Sequence, residues 1–364
     1  MIPINDLSRK IRASKDELGR TVTDVFSSGS YILGSQVSKF EDSFSKFVGT
    51  KYCVGVASGS DALKIALTSA EIGVGSNVIT VANAGMYSSN AILAVGATPI
   101  YIDIDASNML LDFDLLLNFD TENIDALIVT HLFGLAHPKI LQIAQWCKQR
   151  SVVLIEDCAQ AHGASIGGQM VGTFGEMSCF SFYPTKNLGA LGDAGAVLTS
   201  STHLRDTLVS LRQYGWATKY HVALKHGMNS RLDEMQAAIL NYFLPSLEQW
   251  NLRRRQIANF YSSEIDHPLV STPDHMVDSC VSHLYVTRIK DRTGLIEHLA
   301  KRGIGSDIHY PIPDHMQIPY QTENISVSLP VTEQYSQEIL TIPCFPELSD
   351  NEAERVVLAI NEWQ

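Results

Sequence analysis

The chain has 364 residues, of which 45% are hydrophobic and 18% are charged, a composition typical of globular proteins. Its formal net charge of −12 at pH 7 argues against a nucleic acid or an anionic membrane as partner, although local backbone donors can still bind a small anion. No apolar run reaches the roughly 18 residues of a membrane span, and residues 1–20 lack the apolar core of a signal peptide.

Short, apolar, β-branched runs alternate with helical patterns between residues 50 and 200. Seven runs are predicted strands: Tyr52–Ala57, Asn77–Ala82, Pro99–Asp103, Ala126–His131, Val152–Asp157, Met177–Phe182 and Ala194–Thr199. Between them, helical spacing marks Asp61–Ala70, Ser88–Val95 and Pro138–Gln149. Because several strands are apolar throughout, the pattern predicts an α/β fold with a mostly parallel sheet and helices on both faces.

The second half of the chain has a different pattern of predicted helices and strands. A long helical pattern is interrupted at Pro245, which either begins a new helix or kinks a single one. The elements predicted here are helices over Arg231–Leu244 and Pro245–Ile265, a strand over His283–Lys290, a helix over Thr293–Arg302, a strand over Gly305–Tyr310 and a helix over Asn351–Glu362. We place a domain boundary near residue 245, between a large domain (1–245) and a small C-terminal α/β domain (246–364).

The six cysteines are scattered along the chain and form no C-x-x-C pair. This pattern indicates free thiols in a reducing compartment rather than a disulfide framework or a zinc site. We therefore expect a cytoplasmic protein without a bound metal.

Three stretches carry chemistry, and the first is Ala57-Ser58-Gly59-Ser60-Asp61-Ala62-Leu63, which follows a strand and opens a helix. Backbone N–H groups at such a helix start favour a phosphate, and Gly59 permits a close approach. The alternative is a plain N-cap made by Ser60 or Asp61. The stretch is neither G-x-G-x-x-G nor a P-loop, which argues against a nicotinamide-dependent dehydrogenase.

The second stretch ends a predicted strand with two carboxylates, Glu156 and Asp157. Ligands of open α/β sheets bind at the carboxyl ends of strands, and strand alternation sends the two carboxylates to opposite sides. One of them can therefore face a ligand, as partner of a cationic ring nitrogen, as metal ligand or in acid–base work. The alternative is an acid that caps a helix.

The third stretch is Ser181-Phe182-Tyr183-Pro184-Thr185-Lys186, followed by a glycine-rich segment. A partly desolvated lysine amine is a nucleophile that forms a Schiff base with an aldehyde, whereas the alternative is a lysine in a surface loop. The Ser181 hydroxyl can serve the same phosphate as Ser60. A phosphate cradle, a strand-end carboxylate and a lysine on one sheet are what pyridoxal phosphate requires.

These residues make the chain resemble the DegT/StrS family of sugar-nucleotide aminotransferases, which have the aspartate-aminotransferase-like fold (fold type I). The resemblance covers nearly the whole chain. It rests on five segments in order, namely residues 29–34 with Phe40 and Glu41, residues 58–63, residues 156–163, residues 181–186 and residues 227–238.

The resemblance implies that Gly59, Ser60 and Ser181 bind the phosphate of the cofactor. It further implies that Asp157 pairs with the pyridinium nitrogen and that Gln160 contacts the ring hydroxyl. Lys186 would form the Schiff base and then move the proton between substrate and cofactor.

Asn229 would reach the phosphate of the partner subunit's cofactor, which implies a homodimer with active sites shared between subunits. The alternative for Asn229 and Arg231 is capping of the helix that begins near Leu232. Both roles are compatible with each other.

Two positions depart from or refine the family pattern. The aromatic residue that usually stacks on the pyridine ring aligns with Gly85, so Met86 or Tyr87 would have to fill that place. A related branch of sugar dehydratases carries histidine where this chain has Lys186. The lysine therefore favours transamination over dehydration.

The segment Gly305–His315 resembles the C-terminal part of enzymes that aminate dTDP-linked 3-keto-6-deoxyhexoses. The resemblance implies conversion of a dTDP-3-keto-6-deoxyhexose to the dTDP-3-amino-3,6-dideoxyhexose, with L-glutamate as donor. Candidate substrate-binding residues are Tyr31, Tyr183, Tyr214, Arg231, His309, Tyr310 and His315, although each is also compatible with a structural role. The alternatives are a carbon-4 aminotransferase of a nucleotide sugar, a sugar dehydratase and a non-catalytic regulator that binds pyridoxal phosphate.

Overall fold

The structure is a computed structural model that describes residues 1–120, 122–273, 279–318 and 327–364. Its helices are α1 Leu7–Ser28, α2 Ser35–Val48, α3 Gly59–Ser69, α4 Tyr87–Ala94, α5 Phe113–Leu117, α6 Ile140–Arg150, α7 Thr202–Leu211, α8 Glu234–Phe243, α9 Leu247–Glu264, α10 Arg292–Lys301, α11 Pro330–Glu338 and α12 Asp350–Asn361. Its strands are β1 Tyr52–Val56, β2 Asn77–Thr80, β3 Thr98–Tyr101, β4 Ala126–Thr130, β5 Val153–Asp157, β6 Ser165–Ile166, β7 Gln169–Met170, β8 Met177–Ser181, β9 Gly195–Thr199, β10 Trp216–Thr218, β11 His221–Val222, β12 Val270–Ser271, β13 Tyr285–Ile289 and β14 Ile339–Ile342.

Seven strands form the central sheet in the order β1-β9-β8-β5-β4-β2-β3. The pairs β2–β3, β2–β4, β4–β5 and β5–β8 are parallel, and β9 runs antiparallel to both of its neighbours. The seven predicted strands and the mostly parallel α/β sheet are therefore confirmed. Because β1 and β8 are both antiparallel to β9, they run in the same direction. The carboxyl ends of β1, β4, β5 and β8 therefore lie at one edge of the sheet.

The middle of the sheet illustrates why these residues form parallel strands. Strand β4 is buried along its whole length, as expected for an apolar strand covered on both faces. Helix α6 ends at Arg150, and the following Ser151, with a left-handed φ of 56°, turns the chain back toward β5. This β4–α6–β5 unit delivers Asp157 to the same edge as the end of β4.

Helices α1, α2 and α8 cover part of the sheet through a shared apolar core. The rings of Phe40 and Phe44 in α2 contact Phe182 edge-on, with centroids 5.2 and 5.1 Å apart. The sequence analysis predicts no element before Tyr52, so α1 and α2 are findings of the structure. Both are amphipathic, and α1 exposes most of its residues to solvent.

A second, antiparallel sheet of β12, β13 and β14 packs against α9, α10 and α12. Ile2 belongs to this second core and pairs with Ile304, so the start of the chain lies among C-terminal residues. The strand predicted over Gly305–Tyr310 is wrong, because only Asp307 bridges to Thr341. After Asp307 the chain leaves the sheet toward Pro311 and Pro313, which lack the backbone N–H group needed to pair with a neighbouring strand.

Pro245 lies in a short 3-10 turn, Leu244–Ser246, that separates α8 from α9, so a new helix follows the proline. The domain boundary near residue 245 stays a proposal. Among the described residues, no helix is both long and apolar enough to cross a bilayer.

Candidate active site

A cavity of about 580 Å³ lies at the edge where the carboxyl ends of four strands meet. Ser58, Thr130, Asp157 and Ser181, which end or follow β1, β4, β5 and β8, all line it. The segment around His309 and the end of β14 also line the cavity. The cavity thus occupies the ligand crevice that the sequence analysis predicts for this sheet.

The amino end of α3 forms one end of the cavity. Ser58 is its N-cap, with the hydroxyl accepting a hydrogen bond from the Asp61 amide at 3.1 Å, so neither Ser60 nor Asp61 caps this helix. The Asp61 carboxylate instead accepts from the Ser230 hydroxyl at 2.6 Å. The first amides of a helix have no intrahelical acceptor, and Gly59 and Ser60 line the cavity at that point.

Close backbone contacts hold this helix terminus against the sheet. A Cβ on Gly59 would lie 2.6 Å from the Cβ of Ser181, and a Cβ on Gly195 would overlap the carbonyl group of Ser58. Glycine at these two positions therefore allows the helix start to lie close to both β8 and β9. The result is a cradle in which Ser60, Ser181 and the helix amides surround one small volume suited to a phosphate.

Asp157 ends β5 and is buried at the floor of the cavity. Its Oδ1 accepts a hydrogen bond from the Ala159 amide at 3.1 Å. Burial raises the pKa of the Asp157 carboxyl, and the Ala159 amide and the charge of Lys186 oppose that rise. A further cationic group placed beside the carboxylate would favour its ionised form.

Lys186 follows β8 in a turn, where its amide donates to the Tyr183 carbonyl at 2.9 Å. The side chain is half-buried and lines the cavity. Burial lowers the pKa of the Lys186 amine to about 8, while the charge of Asp157 acts in the opposite direction. Such an amine is a nucleophile and a base near neutral pH, which favours the chemical role over a solvated surface lysine.

Glu156, beside Asp157 in sequence, faces away from the cavity, as strand alternation predicts. Its carboxylate accepts hydrogen bonds from the amides of Gly172, Phe174 and Gly175 at 2.7–2.8 Å and from Nε2 of His131 at 3.0 Å. Its role is therefore to hold a loop. His131, Glu156 and Cys158 lie close enough together to resemble a set of metal ligands. The hydrogen bonds just described already occupy the Glu156 carboxylate and Nε2 of His131.

Tyr310 fills the space over Gly85. A Cβ on Gly85 would lie 2.9 Å from Cε1 of Tyr310, and the Tyr310 hydroxyl accepts a hydrogen bond from Nε2 of Gln160 at 3.1 Å. The ring of Tyr87 meets that of Tyr310 edge-on with centroids 6.1 Å apart, and both residues line the cavity. Tyr310, Tyr87 and Gln160 thus lie together beside position 85, where this chain has glycine in place of the family's aromatic residue.

Met86 and His315 do not line the cavity. The Met86 amide donates to Asp314 Oδ1 at 2.9 Å, and the Ser89 hydroxyl donates to Asp314 Oδ2 at 2.5 Å, so α4 is fastened to the segment after Tyr310. His315 is buried behind this junction, with Nε2 3.2 Å from Oε1 of Glu333. Both residues support the wall rather than form it.

His309 and Tyr183 do line the cavity. Nδ1 of His309 is hydrogen-bonded to Oγ1 of Thr341 at 2.9 Å, and Nε2 lies 3.8 Å from Oδ2 of Asp307. Tyr183 is 51% exposed, which leaves its ring available to a ligand. Both residues border the same cavity as Lys186.

The remaining predicted residues, Tyr31, Tyr214, Asn229 and Arg231, lie outside the cavity. Tyr31 is 52% exposed, and the Arg231 guanidinium lies 6.0 Å from the ring centroid of Tyr214. Asn229 is exposed and bridges to Gln213 on a surface segment. Within a single chain, these four residues therefore do not reach the site.

Sequence reasoning missed several lining residues, among them Asn5, Thr130, Asp193 and His283. Asn5 arrives from the start of the chain, and His283 precedes β13 of the second sheet. No motif or spacing marks Asn5 or His283, because the proximity of these two residues to Lys186 depends on long-range packing. The strand predicted over His283–Lys290 was the nearest available signal.

Comparisons with known proteins agree with this geometry. The sequence profile of the DegT/DnrJ/EryC1/StrS aminotransferase family matches residues 12–361. The chain is 42% identical, over 100% of its length and 99% of the other, to dTDP-3-amino-3,6-dideoxy-alpha-D-galactopyranose transaminase of Aneurinibacillus thermoaerophilus.

Two solved structures are similar to it throughout. The crystal structure of S. venezuelae DesV in complex with a ketimine intermediate superimposes with a TM-score of 0.95, at 38% identity over 100% of this chain and 98% of the other. The structure of ntda of Bacillus subtilis with bound cofactor PMP has a TM-score of 0.92, at 27% identity over 99% and 84% of the two chains. The fold is thus that of the aminotransferases, and the chain belongs to the DegT/DnrJ/EryC1/StrS aminotransferase family.

Proposed function

We propose that the protein transfers the amino group of L-glutamate to carbon 3 of a dTDP-linked 3-keto-6-deoxyhexose, with pyridoxal phosphate as cofactor. The products are the dTDP-3-amino-3,6-dideoxyhexose and 2-oxoglutarate. The observation that carries this proposal is the meeting of Lys186, Asp157 and the amino end of α3 in one cavity. The transaminase that is 42% identical over the whole chain supports the choice of sugar and of carbon 3.

The cavity fits pyridoxal phosphate at three points. The cradle of Ser60, Ser181 and the first amides of α3 suits the phosphate, and Lys186 suits the aldehyde. Asp157 suits the ring nitrogen, because burial has raised the pKa of its carboxyl and a cationic neighbour favours the ionised form. When bound, the cofactor supplies an aldehyde that captures amines and a ring that withdraws electrons from the reacting carbon.

Lys186 moves the proton in both halves of the reaction. With a pKa of about 8, roughly a tenth of its amine is unprotonated at pH 7, far more than for an ordinary lysine. In the first half, Nζ would take the proton from the α-carbon of glutamate and give it to the cofactor carbon that carried the aldehyde. In the second half, Nζ would take a proton from that cofactor carbon and deliver it to carbon 3 of the sugar, whose keto oxygen leaves as water.

Gln160 and Tyr310 orient the ring. Gln160 Oε1 accepts from the Phe133 amide at 2.6 Å, and its Nε2 donates to the Tyr310 hydroxyl, so the amide is held at both ends. Gln160 can therefore approach the ring hydroxyl in a fixed orientation. Tyr310, with Tyr87 beside it, provides the aromatic surface that Gly85 does not.

Tyr183, His309 and Asp307 line the same cavity and would contact the sugar. Tyrosine combines an apolar face with a polar hydroxyl, which suits a sugar or a base in a wet site. Imidazole and carboxylate groups suit sugar hydroxyls. A carbon-4 aminotransferase and a non-catalytic regulator remain the alternatives that the experiment below separates.

We further propose a homodimer with shared sites. Tyr31, Tyr214, Asn229 and Arg231 lie on the surface of one chain, outside its cavity, and Tyr31 and Tyr214 are substantially exposed. Exposed aromatic residues mark interaction surfaces. A partner subunit would use Asn229 at the phosphate and Arg231 at the substrate.

We place the reaction in the cytoplasm. The six cysteines are free and buried, as expected of a protein kept in a reducing compartment. The net charge of −12 disfavours nucleic acid as a partner.

The test is the visible absorbance of the protein loaded with pyridoxal phosphate. Glutamate should bleach the band of the bound cofactor, and a dTDP-3-keto-6-deoxyhexose should restore it. Lys186→Ala should lack the band, whereas Lys10→Ala, which removes another lysine with a pKa lowered to about 8, should keep it.

Several outcomes would contradict the proposal. Restoration by a 4-keto sugar or by a UDP-linked 3-keto sugar alone would correct the substrate. A band that ignores every amino donor would indicate a regulator. No band in the wild-type protein would exclude the role given to Lys186.

A further inference from the structure

A network of hydrogen bonds between buried side-chain amides lies next to Lys186 in sequence and ends at His283. Asn187, the residue after the lysine, donates from Nδ2 to Asn251 Oδ1 at 2.8 Å and to the Val281 carbonyl at 3.0 Å. Asn187 Oδ1 lies 3.0 Å from Nδ1 of His283. Asn251 in turn donates from Nδ2 to the His162 carbonyl at 2.7 Å.

Two backbone carbonyls determine the direction of every hydrogen bond in this chain. A carbonyl only accepts, so the atom of Asn251 that faces the His162 carbonyl must be its NH₂ group. The same argument at the Val281 carbonyl makes Nδ2 the donor of Asn187. Asn187 therefore presents its oxygen to His283, and Nδ1 of His283 must carry a hydrogen.

A neutral imidazole carries one N–H, so Nε2 of His283 is then left with a lone pair. Burial lowers the pKa of His283 well below its ordinary value, and the charges of Lys186 and Arg254 lower it further, so the ring stays neutral. Arg254 also fixes the backbone here, with Nη1 donating to the carbonyls of His283 at 3.2 Å and Cys344 at 2.6 Å.

His283 and Lys186 line the same cavity, and no hydrogen bond of Nε2 is found among the described residues. We propose that His283 is a positioning residue whose Nε2 accepts a hydrogen bond from the free amine of Lys186. The amine lone pair is then directed at the carbon that gives up its proton. This inference rests on the proton-transfer role proposed for Lys186.

Nuclear magnetic resonance of protein with ¹⁵N-labelled histidine tests the first step. The ring nitrogens of wild-type His283, identified by the signal lost in His283→Gln, should show hydrogen on Nδ1 and none on Nε2 at neutral pH. Hydrogen on Nε2, or on both nitrogens, would overturn the proposal. The measurement does not depend on turnover.

Kinetics of the glutamate half-reaction test the second step. His283→Leu removes the acceptor and should slow the step at saturating glutamate roughly tenfold, the effect of one ordinary hydrogen bond, with the glutamate affinity unchanged. His283→Gln places an amide oxygen near the site of Nε2 and should stay within about twofold of wild type. A wild-type rate in His283→Leu, or an equal loss in both variants, would overturn the proposal.

The two experiments also separate this proposal from the proposed function. If wild-type protein binds no cofactor, the function of Lys186 is refuted, although the hydrogen position on His283 is still measured. If the cofactor binds and bleaches normally while His283→Leu reacts at the wild-type rate, only the inference about His283 fails.

Discussion

Lys186 and Asp157 show how burial prepares single residues for chemistry. The amine and the carboxylate share one cavity, and burial disfavours the charged form of each, while each charge favours the other. The ammonium form of Lys186 therefore persists only up to a pH of about 8. Its titration is the most direct physical signature of the site.

We expect the cofactor-free protein to show this titration in the reactivity of Lys186 toward an amine-modifying reagent. Below a pH of about 8 the amine is an unreactive ammonium ion, and above it the amine is neutral, so the rate should rise through that pH and then level off. Lys10, half-buried beside the rings of Phe243 and Trp250, also has a pKa lowered to about 8. Subtraction of the Lys186→Ala profile therefore isolates the signal, and a midpoint above pH 10 would contradict the burial argument.

Asp157→Asn should act on two quantities at once. Loss of the anion removes the charge that raises the pKa of Lys186, so the midpoint of its reactivity should move to lower pH. Loss of the partner of the ring nitrogen should lower turnover about a hundredfold or more. Asp206→Asn, which removes an exposed carboxylate outside the cavity, serves as the control. Unchanged turnover in Asp157→Asn would refute its proposed role.

Site residues could be predicted from the sequence where a recognisable motif lies next to the end of a predicted strand. Ser60, Asp157, Ser181 and Lys186 were predicted in this way, and the structure brings all four into one cavity. The partner of Gly85 was not readable, because Tyr310 is more than two hundred residues away in the chain. Contacts of that range have no local pattern.

At the scale of elements, the decisive contact is between α3 and β8. The helix start is positioned by Gly59, where a side chain would meet Ser181 of β8, so the proposed phosphate cradle depends on one missing side chain. The parallel strands themselves were predicted correctly, because burial on both faces leaves an apolar run. Helices α1 and α2 were missed although both are amphipathic, so the periodicity that marks them was available in the sequence and was not used.

Gly59→Ala should weaken cofactor binding at least about tenfold while the protein stays folded. The added Cβ would meet the Cβ of Ser181 at 2.6 Å and its Cα at 3.1 Å, which forces the helix start away from the sheet. Gly73→Ala is the control, since its Cβ would meet only the Val95 carbonyl at an ordinary 3.6 Å. Titration of the visible absorbance with pyridoxal phosphate measures both, and equal affinities would refute the cradle.

At the scale of the molecule, the surface position of Asn229 predicts complementation between subunits. Lys186→Ala and Asn229→Ala should each be inactive or strongly impaired alone. After the two are mixed and allowed to exchange subunits, about a quarter of wild-type activity should return, because half the dimers are mixed and each has one intact site. No recovery, with exchange verified by mass, would mean that each chain builds its own site.

The lining of the cavity also has a consequence for folding. It draws on residues from Ile4 to Cys344 and on both sheets, so no part of the chain can form it alone. A ligand that binds only the completed cavity is linked to global unfolding and should stabilise the protein by about 2.7 kcal/mol at roughly one hundred times its Kd. In calorimetry, added pyridoxal phosphate should shift a single melting transition upward, and a second transition that it leaves unmoved would show a part that unfolds independently. Occupancy of the site should therefore raise the free energy of unfolding of the whole chain.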